Sequence, residues 1–513
     1  MNKSRHQRIT LIIAGLLFTA CLLVSCIRPW PGSENWVPPT YVPVANTGTP
    51  EPVHFPFLPP TRQPGAPILT PTPDTPHVLP TLRSDEELYV VQPNDTLGLI
   101  AQRYGVDLNT LIDLNNLKDP DHLEVGQQLK IPPPKPQQPG SNFKIIPDSE
   151  LINGPASALF DVKDFLGKQG GYLNKYQEEV DNTNYTGAEI VTRVANEFSV
   201  NPRLILAILD YKSAWVTQLY PAKETLVYPM GIATEWRQGL YHQLAWAADN
   251  LNHGYYLWKV NGVPTWVLAD GEVVPIAPDI NAGTAGVQFL MSLIYGRSDW
   301  DQAVSEKGVF ETYSNLFGYP FDYAIDPLLP PDLVQPEMQL PFEAETVWSF
   351  TGGPHGGFGE GSAWAGIDFA PPGDALGCVQ SDAWVVAVAG GLIVRSGNGA
   401  VIQDLDGDGF EQTGWTVLYL HIETRDRVEV GVKLKAGEHI GHPSCEGGVA
   451  NGTHVHLARR YNGEWIAADG QIPFKLDGWI SQGDGTEYNG FLRRNGQVVE
   501  AWDSRKPENQ IQR

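Results

Sequence analysis

The amino-acid sequence predicts a multidomain α+β protein: a small βααβ unit, a mostly α-helical middle region, and a C-terminal module built on an antiparallel β-sheet. Length is the first observation behind this, because 513 residues exceed what one hydrophobic core usually organises. The second is composition, which passes from proline- and threonine-rich, to apolar and aromatic, to glycine-rich turns between short apolar runs. The third is patterning. Helical spacing of apolar residues in the middle gives way to strand-like alternation towards the C-terminus.

Charge narrows the partners. A formal net charge of -24 argues against nucleic acid, whose phosphate backbone demands a basic face, and against simple electrostatic adsorption to anionic lipid. Residues 1–25 pair Lys3, Arg5 and Arg8 with an apolar run from Leu11 to Val24, the layout of a secretory signal. The run ends in Leu23-Val24-Ser25-Cys26, which resembles the bacterial lipobox. That resemblance implies cleavage before Cys26 and lipidation there, so a membrane partner is expected through a lipid anchor. Residues 26–86 are crowded with proline and threonine, as in Thr70-Pro71-Thr72-Pro73, and read as a semi-extended tether.

Residues 87–132 hold a strand-like Leu88-Tyr89-Val90-Val91, a capping turn at Asn94-Asp95-Thr96, helices near Leu97–Tyr104 and 108–116, and a closing Gln128-Leu129-Lys130-Ile131. The unit resembles a LysM domain, through Tyr89, Asp95-Thr96-Leu97, Ile100-Ala101, Tyr104, Asn115 and Gly126 to Pro132. The resemblance implies binding of N-acetylglucosamine-containing glycan such as peptidoglycan, with Asn94, Asp95, Thr96 and Leu97 as glycan-binding candidates.

A linker, 133–145, precedes the helical region, 146–328, where Asn201-Pro202 caps an apolar helix over Arg203-Leu204-Ile205-Leu206-Ala207-Ile208-Leu209. Here the sequence weakly resembles a lysozyme-like domain through Ala207 and Ser213, but Lys212 stands where that family has its catalytic acid. A cationic amine cannot protonate a glycosidic oxygen as a carboxylic acid does, so the region is expected to be non-catalytic, with Asp210 as the one candidate substitute.

Residues 340–482 carry short apolar runs such as Trp384 to Ala389 and Thr416 to Leu420, the lengths of antiparallel strands. In Thr453-His454-Val455-His456 the two imidazoles project from one strand face while Val455 and Leu457 fill the other. Upstream lie Gly352-Gly353-Pro354-His355, Gly366-Ile367-Asp368 and Tyr419-Leu420-His421. The set resembles the lysostaphin-type and β-lytic zinc metallopeptidases, which cut peptide bonds in peptidoglycan. In the commoner branch the first zinc-binding histidine lies four positions before the aspartate, where this chain has Trp364; the β-lytic branch places it thirteen before, as His355 stands to Asp368. The resemblance implies Zn2+ on His355, Asp368 and His456, with His421 and His454 as catalytic groups beside the substrate carbonyl.

Cys378 and Cys445 are expected to form one disulfide in an exported chain. Asp404-Leu405-Asp406-Gly407-Asp408 resembles the first half of a calcium loop, yet Trp415 occupies the position of the bidentate glutamate, which favours a plain acidic hairpin tip. Residues 483–513 read as a polar tail with a small hairpin around Asn495-Gly496. The expected function is a membrane-anchored cell-wall endopeptidase; a catalytically silent scaffold that recruits other wall hydrolases is the alternative that Lys212 motivates.

Overall fold

A short run of Pro-free apolar alternation is enough to close the first unit. In the computed structural model, which describes residues 74–79, 83–92, 95–120, 122–134 and 139–513, β1 (Glu87–Val90) pairs antiparallel with β2 (Gln128–Ile131). Between them lie α1 (Leu97–Tyr104) and α2 (Leu108–Asn115). Asp107 caps α2 by accepting from the Thr110 amide, and Asn116 ends it in the left-handed region. Asn115 ties α2 to β2, donating to the Lys130 carbonyl at 2.8 Å and accepting from the Lys130 amide at 2.7 Å. The lipobox with Cys26, most of the tether, and Asn94 lie outside the described residues. Among the described residues no helix is long and apolar enough to cross a membrane.

The helical region contains α3 (Asp148–Leu151), α4 (Val162–Gln169), α5 (Gly187–Phe198), α6 (Pro202–Ser213), α7 (Leu240–Lys259), α8 (Ala282–Ile294), α9 (Arg297–Ala303) and α10 (Val309–Phe317). Thr186 and Glu189 form a capping box at the start of α5. The predicted Asn201 cap with Pro202 in the first turn is present on α6, whose apolar residues are almost all buried. The buried Arg203 is matched, donating to both carboxylate oxygens of Glu150, at 2.7 and 3.0 Å. Two hairpins, β3 (Gln177–Val180) with β4 (Thr183–Thr186) and β5 (Thr265–Val267) with β6 (Val273–Pro275), complete the region.

The C-terminal module is organised by one antiparallel sheet. Its strands are β7 (Val347–His355), β8 (Gly366–Ala370), β10 (Gly391–Gly397), β11 (Ala400–Asp404), β12 (Trp415–Leu420), β13 (Lys433–Leu434), β15 (Val455–Tyr461), β16 (Glu464–Trp465) and β21 (Gln510–Gln512). The order is β13-β10-β11-β12-β15-β8-β7-β21, with β16 paired to β15; β9 (Val385–Val386) and β14 (His439–Gly441) make a separate ladder. Alternation assigns the two faces. Ile367, Phe369, Val401, Val417, Tyr419, Val455 and Leu457 join one core with Trp348, Phe350 and Trp479. Ala400, Ile402, Leu418, Leu420 and Ala458 belong to the other, shared with the helical region.

The polar tail expected over 483–513 is in fact part of the fold. β17 (Lys475–Leu476), β18 (Trp479–Gln482), β19 (Phe491–Arg494) and β20 (Gln497–Glu500) form a second sheet, and β21 pairs with β7. The predicted hairpin at Asn495-Gly496 exists, but a boundary at Gln482 divides the sheet it belongs to. Its strands present only alternate residues to the core, Leu492 and Val499 among them, so the polar residues between dominate the local composition.

Candidate metal centre

Register places the first pair. Asp368 on β8 lies directly opposite His456 on β15, and His456 in turn opposite Leu420 on β12. Asp368 sits between Ile367 and Phe369, and His456 between Val455 and Leu457, so both turn away from the sheet's own core and towards the helical side. His355, the last residue of β7, reaches the same point after two register shifts in that strand. Gly352 and Gly366 make room for this: a Cβ on either would collide with the Asp368 carboxylate or the His456 ring respectively.

The donor atoms converge. His355 Nε2 lies 2.9 Å from His456 Nδ1 and 3.3 Å from Asp368 Oδ1, and His456 Nδ1 lies 3.1 Å from the same oxygen. The outward nitrogens face main-chain carbonyls: His355 Nδ1 donates to Gly353 O at 2.7 Å, and His456 Nε2 to Gly357 O at 2.9 Å. A carbonyl only accepts, so the outward nitrogens carry the protons and the inward ones carry lone pairs. Two lone pairs and a carboxylate oxygen, all buried, therefore point at one another with no donor between them. Such an arrangement suits a cation.

Zinc fits. Bonds of about 2.0–2.2 Å to two imidazole nitrogens and one carboxylate oxygen in a tetrahedron give edges close to those observed and leave a fourth position. The electrostatics agree. Although burial alone would raise Asp368, the His355 and His454 imidazoles hold its carboxyl well below the usual range, so it is ionised. Burial pushes His456 down and keeps it neutral. Burial pulls His355 down as well, but the Asp368 carboxylate overrides it and leaves the imidazole raised, since a proton there is the substitute for a cation.

His421 and His454 complete the predicted set. The His421 ring lies 4.5 Å from that of His454 and 6.4 Å from that of His456. His421 Nδ1 donates to Glu446 O at 2.9 Å and His454 Nδ1 to Gly452 O at 2.8 Å, so both present an Nε2 lone pair. That of His454 is 3.8 Å from Asp368 Oδ1. Burial, followed by the His454 and His456 imidazoles, draws His421 down to about 3. His421 also holds a left-handed backbone, φ 63°, an uncommon conformation for histidine that turns the chain out of β12. Trp364 takes no part in the cluster; its carbonyl accepts from the Ala468 amide.

The predicted disulfide is present, with Cys378 and Cys445 Cα atoms 5.7 Å apart. It joins two loops beside the site, and the Val379 amide donates to Thr453 Oγ1 at 2.9 Å, next to His454. The acidic tip is a tight turn. Asp404, Asp406 and Asp408 offer oxygens within 4.8 Å of one another, but Asp404 accepts from the amides of Asp406, Gly407 and Gly409, and Asp408 from that of Phe410. Of the glycan-binding candidates, Asp95 accepts from Tyr89 Oη at 2.6 Å and the Gln92 amide at 2.7 Å, Thr96 accepts from the Leu99 amide, and Leu97 is core. These three side chains shape the loop.

One neighbour was not legible in the sequence. Tyr488, from the stretch read as a tail, stacks on His355 with ring centroids 4.2 Å apart. Its carbonyl accepts from the Gly353 amide at 2.7 Å and its amide donates to Pro354 O at 3.1 Å. Burial raises its hydroxyl to about 12. Only its place in register with the His355 segment gives it away, and that register is set by the fold.

Two stretches of the chain match known family models. Residues 89–132 match the family model "LysM domain", and residues 144–330 match "LasA, N-terminal domain". These matches do not confirm the lysozyme-like reading of the middle region. Protease LasA of Pseudomonas aeruginosa is 22% identical over 353 residues, 64% of this chain and 77% of the relative. The N-acetylmuramoyl-L-alanine amidase XlyB of Bacillus subtilis is 41% identical over 44 residues, 9% of this chain and 14% of the relative. Among solved structures, the M23 metalloprotease pseudoalterin has a TM-score of 0.28 at 22% identity, covering 35% of this chain and all of its own. The catalytic domain of lysostaphin from Staphylococcus simulans has 0.18 at 24% identity, covering 24% of this chain and 87% of its own. The chain thus carries matches to a LysM domain and to a LasA N-terminal domain, and it is similar to Protease LasA over 64% of its length.

Proposed function

We propose that this chain is an exported zinc endopeptidase that cuts peptide crosslinks of peptidoglycan. On this reading Cys26 anchors it to the membrane by lipid, and the LysM domain holds it on N-acetylglucosamine-containing glycan. One observation carries the zinc assignment: His355 Nε2, Asp368 Oδ1 and His456 Nδ1 converge as three acceptors, their tautomers fixed from outside by Gly353 and Gly357 carbonyls. Zinc bound there supplies a Lewis acid that polarises the scissile carbonyl and makes water nucleophilic near neutral pH.

The chain's own residues supply the proton handling. His454, with its Nε2 near the Asp368 carboxylate, takes the proton of the attacking water, since that carboxylate stabilises the imidazolium that results. The imidazolium so formed returns that proton to the departing nitrogen as the peptide C–N bond breaks, and His421, whose ring lies beside that of His454, accepts a hydrogen bond from that nitrogen's N–H through its Nε2 lone pair. Burial of the ligands excludes competing water from the inward atoms. On this reading the groups that do the chemistry lie on one face of the sheet, and the middle region contributes no glycosidase chemistry.

The test is metal analysis of the full chain followed by mass spectrometry of digested wall. About one zinc per chain, lost on His456→Ala, and new amine and carboxyl ends in the wall peptides are the expected results. A chain that holds no zinc, or wall lysis unchanged by His456→Ala, overturns the reading in favour of the silent scaffold.

A further inference from the structure

The segment running on from His355 is unusually rich in glycine, Gly356-Gly357-Phe358-Gly359-Glu360-Gly361, and the structure shows why. It lies directly against the helical domain. A Cβ on Gly359 would collide with the Asp249 carboxylate, and one on Gly361 with the main-chain oxygen of Asp249, on α7. The Gly361 amide donates to Asp249 Oδ1 at 2.9 Å. Phe358 packs edge-on against Phe198 at the end of α5, centroids 5.1 Å apart. Trp465, against which Gly357 is pressed, donates from its indole to Phe198 O at 3.2 Å and from its amide to Tyr256 Oη at 3.0 Å.

This loop touches the metal centre twice. It follows His355 directly, and its Gly357 carbonyl accepts the outward N–H of His456. Within the loop the Gly357 amide donates to Ala363 O at 3.0 Å and the Phe358 amide to Ser362 Oγ at 3.1 Å, so a displacement at Gly361 is passed to Gly357. The carbonyl that sets a ligand's tautomer is thus held from another domain.

We infer that Asp249 is a positioning residue for the metal centre, and that the helical domain, gripping the 356–363 loop through Asp249 and Phe198, is a standing part of the site. This rests on the zinc reading above. Outer partners of metal-bound histidine set ligand orientation, and losing one typically weakens metal binding about 10- to 100-fold. Asp249 acts one step further out, so its removal is expected near the lower end of that range.

The experiment is chelator competition for zinc on the full chain at pH 8, above the value of about 6 to which burial raises Asp249, with steady-state hydrolysis alongside. Asp249→Ala is expected to raise the zinc dissociation constant about 10-fold. Asp249→Asn, which keeps an oxygen for the Gly361 amide, restores it to within about 3-fold. Gly361→Ala approaches the same contact from the loop, leaves the α7 side chains intact, and is expected to match Asp249→Ala. Wild-type zinc affinity in both Asp249→Ala and Gly361→Ala overturns the inference. A wild-type chain that binds no zinc overturns instead the reading on which it rests.

Discussion

Two places in this chain suggest chemistry from sequence, and their side chains are used in opposite ways. In the sheet, His355, Asp368 and His456 turn lone pairs towards one another while their outward atoms are held by carbonyls. In α6, Asp210 is spent: its Oδ1 accepts from the Val216 and Thr217 amides at 3.1 and 3.0 Å and its carboxylate from Thr217 Oγ1. Lys212 beside it lies over the Tyr295 ring, 4.5 Å from the centroid. A functional site leaves electron pairs unanswered by the protein; a structural one answers them. The largest test of that contrast is His456→Ala, which removes one of these unanswered pairs and, on the proposed zinc reading, is expected to reduce zinc content and wall hydrolysis to the level of a metal-free control, measured by elemental analysis and release of wall peptides.

The same contrast predicts that the next two groups behave differently from the ligands. His454→Ala should keep its zinc yet lose about 10²- to 10⁴-fold in hydrolysis, the usual worth of a placed acid or base, with a smaller loss for His421→Ala. Retained zinc with unchanged hydrolysis in His454→Ala would remove it from the mechanism. Tyr488 comes below these. Its ring restricts His355 by stacking, so Tyr488→Ala should weaken zinc binding about 10-fold while Tyr488→Phe, which keeps the ring, stays near wild type in chelator competition. Equal losses in both would assign the effect to the hydroxyl.

What the sequence disclosed follows from how local each feature is. The period-2 pattern around Val455 set His454 and His456 on one strand face, because alternation is a property of a single strand. The βααβ unit and the Asn201 cap were legible for the same reason. The spacing of His355 from Asp368 was informative only through a family resemblance, since two register shifts in β7 separate chain distance from spatial distance. The tail was misread because β19 and β20 each bury alternate residues and depend on β18 for pairing, and Tyr488 was missed with it. The sequence also left no trace that one sheet face is covered by the helical domain, through Ala458, Leu418 and Ile402, since small and branched residues read alike on either face.

The smallest effect tests the spent side of the contrast. Asp210→Asn keeps an oxygen at Oδ1 for the Val216 and Thr217 amides, so the turn after α6 is expected to survive and wall hydrolysis to be unchanged. Burial raises the Asp210 pKa in spite of three hydrogen bonds that lower it. A carboxyl whose folded value lies above its unfolded value favours the folded state fully below the unfolded pKa, near 3.9, and that contribution is lost as pH rises through the folded value. Asparagine has no proton to lose. The variant should therefore gain on wild type as pH rises from about 4 to 7, by less than about 1 kcal/mol given the partial exposure, read as the difference in denaturation midpoint at the two pH values. A variant that loses stability at pH 7 and gains none relative to pH 4 would show that the ionised carboxylate, beyond its hydrogen bonds, is needed there. A variant that loses glycan-strand cleavage would restore Asp210 to the catalytic side and dissolve the contrast.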